Sequence, residues 1–297
     1  MKTTSKRAGY VESFDSTPIY YEARGEGPPI IFAYGIGCLI NHWRHQIRYF
    51  SEHYQTIVFD YRGHHYSGIP EDRTHLTIDS LAQDIHALCQ HLDIESASLV
   101  GHSFGSQVLI RTFDMFPHLV NNLILVNGFA TNPIQGMFGV DSVSSFFHLF
   151  KQGYSLAPET IGYIWKKTIN NPLSVHLSAF SGGFNIHLTS LKDIEVYAKG
   201  VASMDLDVFI RLFENMISYD GTPVLERVNV PTLIVSGSKD TLTPRSFQDV
   251  LNQKIRDSQL LEVPYGSHCT QLDMPDFVNL RIERFLLVNG FGSVPKK

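Results

Sequence analysis

A serine set as Gly101-His102-Ser103-Phe104-Gly105 stands between an apolar, strand-like run (Ser98, Leu99, Val100) and a helix-like segment with apolar residues at Val108, Leu109, Ile110, Phe113 and Phe116. A strand-to-helix turn this tight admits only small residues two positions either side of the serine. It lifts the hydroxyl to the helix N-terminus, where the Phe104 N–H faces a developing oxyanion. A serine hydroxyl needs a base, and the base in this geometry is a histidine held by a carboxylate. Of the 14 histidines, His268 lies just past the last expected strand, in Pro264-Tyr265-Gly266-Ser267-His268, on a loop at the same strand edge as Ser103. Asp240, in Ser236-Gly237-Ser238-Lys239-Asp240, follows the strand Thr232 to Val235 in the same way. The stretch after the preceding strand, Asn127-Gly128-Phe129-Ala130, holds no acid, and Asp273 enters the next helix. Position thus selects Ser103, His268 and Asp240 as nucleophile, base and orienting acid.

Such a trio needs a frame that carries several strand ends to one edge. Tyr10 to Phe14 and Pro18 to Ala23 read as a strand pair joined by Asp15-Ser16-Thr17. Pro29 to Ala33, Thr56 to Phe59, Ser98 to Val100, Leu123 to Val126, Thr232 to Val235 and Gln259 to Val263 are short, near-continuous apolar runs that suit strands buried on both faces. Between them lie helix-period segments, the clearest carrying Ile78, Leu81, Ile85, Leu88 and Leu92 on one face; another, after Pro275, groups Val278, Ile282 and Phe285. This alternation predicts an α/β fold with a doubly wound, mostly parallel sheet. The pattern breaks after the sixth strand. Residues 131–221 read as helical pieces divided by Pro158, Pro172 and Gly182-Gly183, forming a cap inserted into a core of residues 1–130 and 222–297. The cap is rich in phenylalanine, with Phe138, Phe146, Phe147, Phe150, Phe180, Phe184, Phe209 and Phe213. Its underside must be apolar where it covers the site, so Phe146 and Phe147 are candidate substrate contacts together with Phe129 and Gly35.

These motifs, spread over almost the whole chain, resemble the α/β-hydrolase superfamily, in its capped serine esterase and lipase-like branch. Asp60-Tyr61-Arg62-Gly63-His64-His65-Tyr66-Ser67-Gly68 is similar to the D-x-R-G-H-G-x-S stretch of that branch, with His65 where the pattern has glycine. The resemblance implies a supporting role for Asp60, Arg62 and Ser67, accounted for by a loop ion pair and backbone hydrogen bonds. It also fits the chain order Ser, Asp, His. It implies a second oxyanion donor, the Ile36 N–H, in the loop Tyr34-Gly35-Ile36-Gly37 after the strand ending at Ala33. Relatives have His-Gly there, so Tyr34 is a departure. Epoxide hydrolases and haloalkane dehalogenases of this superfamily use aspartate at the nucleophile position. Ser103 would give an ether that water cannot easily cleave, and an acyl-enzyme is its natural intermediate. A carboxylesterase for small to medium apolar acyl groups is the first expectation. A lactonase, a thioesterase, a carbon–carbon hydrolase and a slow-turnover ligand receptor that keeps the triad are the alternatives.

Composition removes other classes. The 297 residues, 43% hydrophobic, suffice for a large α/β core. A net charge of −5 without a basic run offers no nucleic-acid footprint. No stretch reaches the roughly 18 apolar residues of a membrane span. Residues 1–9 lack the apolar run of a secretory signal, and Cys38, Cys89 and Cys269 suggest neither a disulfide framework nor a metal motif, so a cytoplasmic location is expected. The partner is a small-molecule acyl substrate, and the chain is expected as monomer or homodimer. No metal or organic cofactor is implied, and pairs such as His42/His45 and His64/His65 read as surface or core residues.

Overall fold

The computed structural model of the chain describes residues 6–135, 137, 142–169 and 183–292. Strands β1 (Lys6–Glu12), β2 (Pro18–Arg24), β3 (Pro29–Ala33), β4 (Gln55–Phe59), β5 (Ala97–His102), β6 (Val120–Val126), β7 (Thr232–Gly237) and β8 (Ser258–Val263) make one sheet. Their order is β1-β2-β4-β3-β5-β6-β7-β8, antiparallel at β1/β2 and β2/β4 and parallel from β4 onward. β5 and β7 are buried at every position, as continuous apolar runs require of strands covered on both faces. The first strand differs from the expected Tyr10 to Phe14. Its ladder pairs Glu12 with Pro18, so residues 13–17 form the turn. Phe14 leaves the strand and lies against the Arg62 guanidinium, 5.0 Å from the ring centroid.

The chain reverses its walk across the sheet between β3 and β5. Loops leaving two such strands diverge, which opens a crevice at their C-terminal ends. The loop after β3 begins with Tyr34, the turn after β5 holds Ser103, and the ends of β6, β7 and β8 lead to Asn127, Asp240 and His268. One edge of the sheet therefore collects the loops that carry the candidate site from five separate strands.

Helices α1 (Arg44–Phe50), α2 (Ile78–His91) and α3 (Phe104–Met115) precede β6. Between β6 and β7 lie α4 (Ser142–Leu156), α5 (Pro158–Ile169), α6 (Leu191–Ser203), α7 (Leu206–Ser218) and the single turn α8 (Thr222–Leu225). After β7 come α9 (Arg245–Lys254), α10 (Thr270–Asp273) and α11 (Pro275–Val288). In α2, Ile78, Leu81, Ile85 and Leu88 are all buried, and Thr77 caps the helix by accepting the Ser80 N–H at 3.1 Å. Between α4 and α7, Phe147, Leu206 and Ile210 form an apolar cluster, with Phe150, Trp165, Phe209 and Phe213 packed on it. Phe138, Pro172, Phe180 and Gly182 lie outside the described residues. Helix α7 is tied to the sheet layers by polar contacts: Asn215 Oδ1 accepts the Ile78 N–H at 2.8 Å, and Gln107 donates to Met216 O at 3.1 Å. Among the described residues no helix is long and apolar enough to cross a membrane.

Candidate active site

Ser103 joins β5 to α3 with φ 54° and ψ −121°. A residue with a side chain pays about 1–3 kcal/mol for such a conformation, which persists only where surroundings enforce it. Here they do so by close approach. A Cβ on Gly105 would lie 2.4 Å from Ala33 O, and one on Gly101 would lie 2.9 Å from the Gly105 backbone. Both flanking glycines are therefore demanded by sterics.

His268 Nε2 lies 2.9 Å from Ser103 Oγ, and His268 Nδ1 lies 2.9 Å from Asp240 Oδ2. When Nδ1–H donates to the carboxylate, Nε2 presents its lone pair to the hydroxyl. Asp240 is held by the loop that follows it. Its Oδ1 accepts the N–H groups of Leu242 and Thr243, each at 2.9 Å, and Thr243 Oγ1 lies 2.7 Å from Oδ2. Asp273 does something else. Its Oδ2 accepts the N–H and the hydroxyl of Ser267 at 2.6 Å each, and its Oδ1 accepts the Thr189 hydroxyl at 2.5 Å. It shapes the loop that carries His268 and joins it to the segment before α6.

Three further residues support the site. Asn127 takes a left-handed φ of 46° and bridges two loops. Its Oδ1 accepts the Gly237 N–H at 2.7 Å, and its amide donates to Ser267 O at 2.9 Å and His268 O at 2.7 Å. His102 Nε2–H also donates to His268 O, at 2.8 Å. Thr243 Oγ1 stands 3.2 Å from His268 Nδ1 as well as beside Asp240. The sequence offered signals for two of these. Asn127 sits at the strand edge that holds the triad, and Thr243 follows Asp240 at the spacing by which an aspartate caps the N–H groups after it.

The N–H groups of Ile36 and Phe104 have no hydrogen-bond partner among the described residues. Phe104 opens α3, whose N-terminal end favours negative charge. The loop bearing Ile36 is braced from the 60–68 loop. Tyr34 OH donates to Asp60 Oδ1 at 3.0 Å and accepts the Tyr61 N–H at 3.1 Å. The Gly37 N–H donates to His64 Nε2 at 3.3 Å, and His65 Nε2–H donates to Cys38 O at 2.7 Å. Burial pushes the His64 imidazole down to about 3, which keeps it the neutral acceptor that Gly37 needs. Burial also pushes the Asp60 carboxyl up to about 7, with no cation paired to it among the described residues. The ion pair of this region is elsewhere than within the loop. Arg62 reaches Asp84 at 2.5 Å and Asp15 at 2.8 Å rather than Asp60.

Above Ser103 and His268 lies a cavity of about 330 Å³, walled by Ile36, Phe129, Val201, Phe213, Met216 and Leu242 among others. No Lys, Arg, Asp or Glu is among its described lining residues. Gly35 and Phe129 border it; Phe146 and Phe147 do not. Phe146 is 70% exposed on the outer side of α4. Phe147, about 100° further round the helix, packs on Phe213 with ring centroids 4.5 Å apart. Phe209 and Phe213 of α7 supply the aromatic wall instead.

This site lies on a recognisable framework. The description "alpha/beta hydrolase fold" matches residues 28–275, and the chain belongs to that family. It is 26% identical over 261 residues to 3-oxoadipate enol-lactonase 2 of Acinetobacter baylyi, covering 88% of this chain and 89% of that one. It is likewise 26% identical over 291 residues to epoxide hydrolase 4 of Mus musculus, covering 93% of this chain and 79% of the relative. Among solved structures, a thermophilic esterase from Thermogutta terrifontis shares the fold with a TM-score of 0.75, over 95% of this chain and 99% of its own, at 20% identity. The class defined by fold and relatives is a hydrolase of the alpha/beta fold.

Proposed function

We propose that this hydrolase cleaves uncharged carboxylic esters of small to medium apolar acyl groups through a covalent acyl-serine. The observation that carries the reading is the unbroken chain from Asp240 through His268 to Ser103, two contacts of 2.9 Å each, on the floor of an apolar cavity. Ser103 Oγ attacks the ester carbonyl as its proton passes to His268 Nε2. The carbonyl oxygen gains negative charge between the Ile36 and Phe104 N–H groups, each worth about 3–4 kcal/mol of transition-state stabilisation. The protonated His268 then gives its proton to the departing alkoxide, leaving the acyl group on Ser103. Water, deprotonated by His268, attacks the same carbon, and collapse releases the acid and restores Ser103–OH.

Residues 131–221 act in this reading as a cap, with α6 and α7 forming the cavity roof. A serine nucleophile argues against epoxide opening, since the resulting ether has no carbonyl for water to attack. Lactones are cyclic esters and open by the same steps. The uncharged lining disfavours those with a free carboxylate, such as an oxoadipate lactone, because nothing there would offset the desolvation of that charge.

The test is hydrolysis of a p-nitrophenyl ester series, from acetate to long acyl chains, by the wild-type chain and Ser103→Ala. Turnover that peaks at short to medium chains and disappears in the variant is expected. Equal rates in both proteins, or none in either, would overturn the assignment.

A further inference from the structure

Behind the Ser103 turn the fold gathers three side chains to which the proposed hydrolysis gives no chemical step, although His102 also holds the His268 loop. Cys38 follows β3, His42 lies in the turn before α1, and His102 ends β5. One donor atom from each falls within 4.8 Å of the other two, and all three residues are buried. We propose that Cys38, His42 and His102 bind a thiophilic divalent metal ion, Zn²⁺ by their donor set, and that its occupancy inhibits the neighbouring site.

His102 carries the strongest indication. Its Nε2–H is committed to His268 O at 2.8 Å, so Nδ1 holds a lone pair, and that atom is buried with no hydrogen-bond partner among the described residues. A histidine whose one ring nitrogen donates to a carbonyl while the other points at a soft donor has the tautomer and orientation usual for metal ligands. The soft donor is Cys38 Sγ. The position a Cβ would take on Gly35 is 3.2 Å from His102 Nδ1 and 3.3 Å from Cys38 Sγ, so both atoms converge on one small region. The His42 ring packs 4.7 Å from that of His102, held against the side-chain amide of Gln271.

One sulfur and two imidazoles suit zinc, whose bonds of about 2.0–2.3 Å place tetrahedral donors roughly 3.3–3.7 Å apart. The donor atoms of the trio already lie within 4.8 Å of one another, so a bound ion would draw them together by between about 1 and 1.5 Å. Burial pushes the Cys38 thiol up to about 12. Binding therefore breaks the S–H bond, forms a metal–sulfur bond and sends the proton to solvent, with no electron transferred. Entry is open, because Cys38 and His102 both border the active-site cavity. Inhibition follows from place, since Ser103 Cβ lies 3.3 Å from the same point above Gly35. An ion held there would sit beside Ser103 and obstruct its approach to a substrate.

The test is titration of chelator-stripped protein with Co²⁺, followed by displacement with Zn²⁺. Uptake of one Co²⁺ per chain with a thiolate-to-cobalt band in the near ultraviolet is expected. Cys38→Ser should lose the band, and His42→Asn, which leaves the cavity wall untouched, should weaken uptake at least tenfold. Ser103→Ala should bind as the wild type does, which separates this result from the hydrolytic reading. Circular dichroism confirms that each variant is folded. Absence of stoichiometric uptake, or the same band in folded Cys38→Ser or undiminished uptake in His42→Asn, would overturn the site. Ester turnover undisturbed by bound Zn²⁺ would overturn the inhibition.

Discussion

At the scale of single residues, Asn127 shows how much of the site lies outside the proposed catalytic trio. An aspartate there could accept from Gly237 but could not donate to Ser267 and His268. Asn127→Ala is expected to lower kcat about 10–100-fold with KM little changed, since the lost bonds position His268 and touch no substrate. A rise in KM with kcat intact, in steady-state kinetics, would place Asn127 in binding instead. Single alanine replacements of Ser103 and His268 should each reduce turnover by at least about 10³-fold in the same assay. The positions of Ser103, Asp240 and His268 were legible because each follows an apolar run that could only be a strand. The supports were legible only as positions: the strand edge marks Asn127 and the spacing from Asp240 marks Thr243, but neither residue type shows which groups it will meet. His102 is the sharper case. It lies inside the most legible motif of the chain, yet its partner is 166 positions away.

Among elements, the 60–68 loop explains two departures from family pattern at once. Tyr34 replaces a histidine and is anchored by Asp60, while His65 replaces a glycine and grips Cys38 O. His65 has φ 42°, a left-handed conformation that glycine adopts freely and other residues at about 1 kcal/mol. His65→Gly should therefore leave folding stability within about 1 kcal/mol of wild type while slowing turnover several-fold, as urea unfolding and kinetics would show together. A stability loss above about 2 kcal/mol would make the imidazole a folding contact. The roof of the cavity is testable through α6, where Val201 faces the interior. Val201→Phe should cut kcat/KM for long acyl chains at least tenfold and spare acetate; a uniform loss across the ester series would move the acyl pocket elsewhere. Strand positions were readable from apolar runs to within a few residues. The inward face of the helices between β6 and β7 was not, because phenylalanine marks burial without saying on which side. Phe146 and Phe147 are adjacent and equally apolar, and helix rotation alone exposes one and buries the other.

For the whole molecule, buried ionisable groups set the response to acid. His42, His64 and His102 are held neutral by burial, so unfolding exposes three imidazoles that take up protons below pH 6.5. Their contribution is present above pH 6.5 and is lost as pH falls below it, toward about 3 for His42 and His64. Asp60 acts in the opposite direction. Its carboxyl stays protonated in the fold up to about pH 7 but ionises near 3.8 when unfolded, so stability from this group declines as pH rises through that window. Between pH 4 and 6.5 these four groups leave the unfolded chain with a net excess of two protons. Stability should then fall by roughly 2–3 kcal/mol per pH unit on acidification. Urea midpoints that stay level from pH 7 to pH 5 would contradict this. Asp60→Asn should steepen the fall, because the opposing group is gone.

The base in the proposed cycle is protonated and deprotonated twice per turnover, and a ring whose seat depended on its own charge would shift each time. The seat of His268 is made differently. Its peptide oxygen is clasped by Asn127 and His102, two donors that meet a dipole of constant sign, while only the ring edge sees Ser103 and Asp240. Proton traffic is thereby uncoupled from anchorage. The loop has no cause to relax between half-reactions, and little heavy-atom rearrangement is added to either barrier.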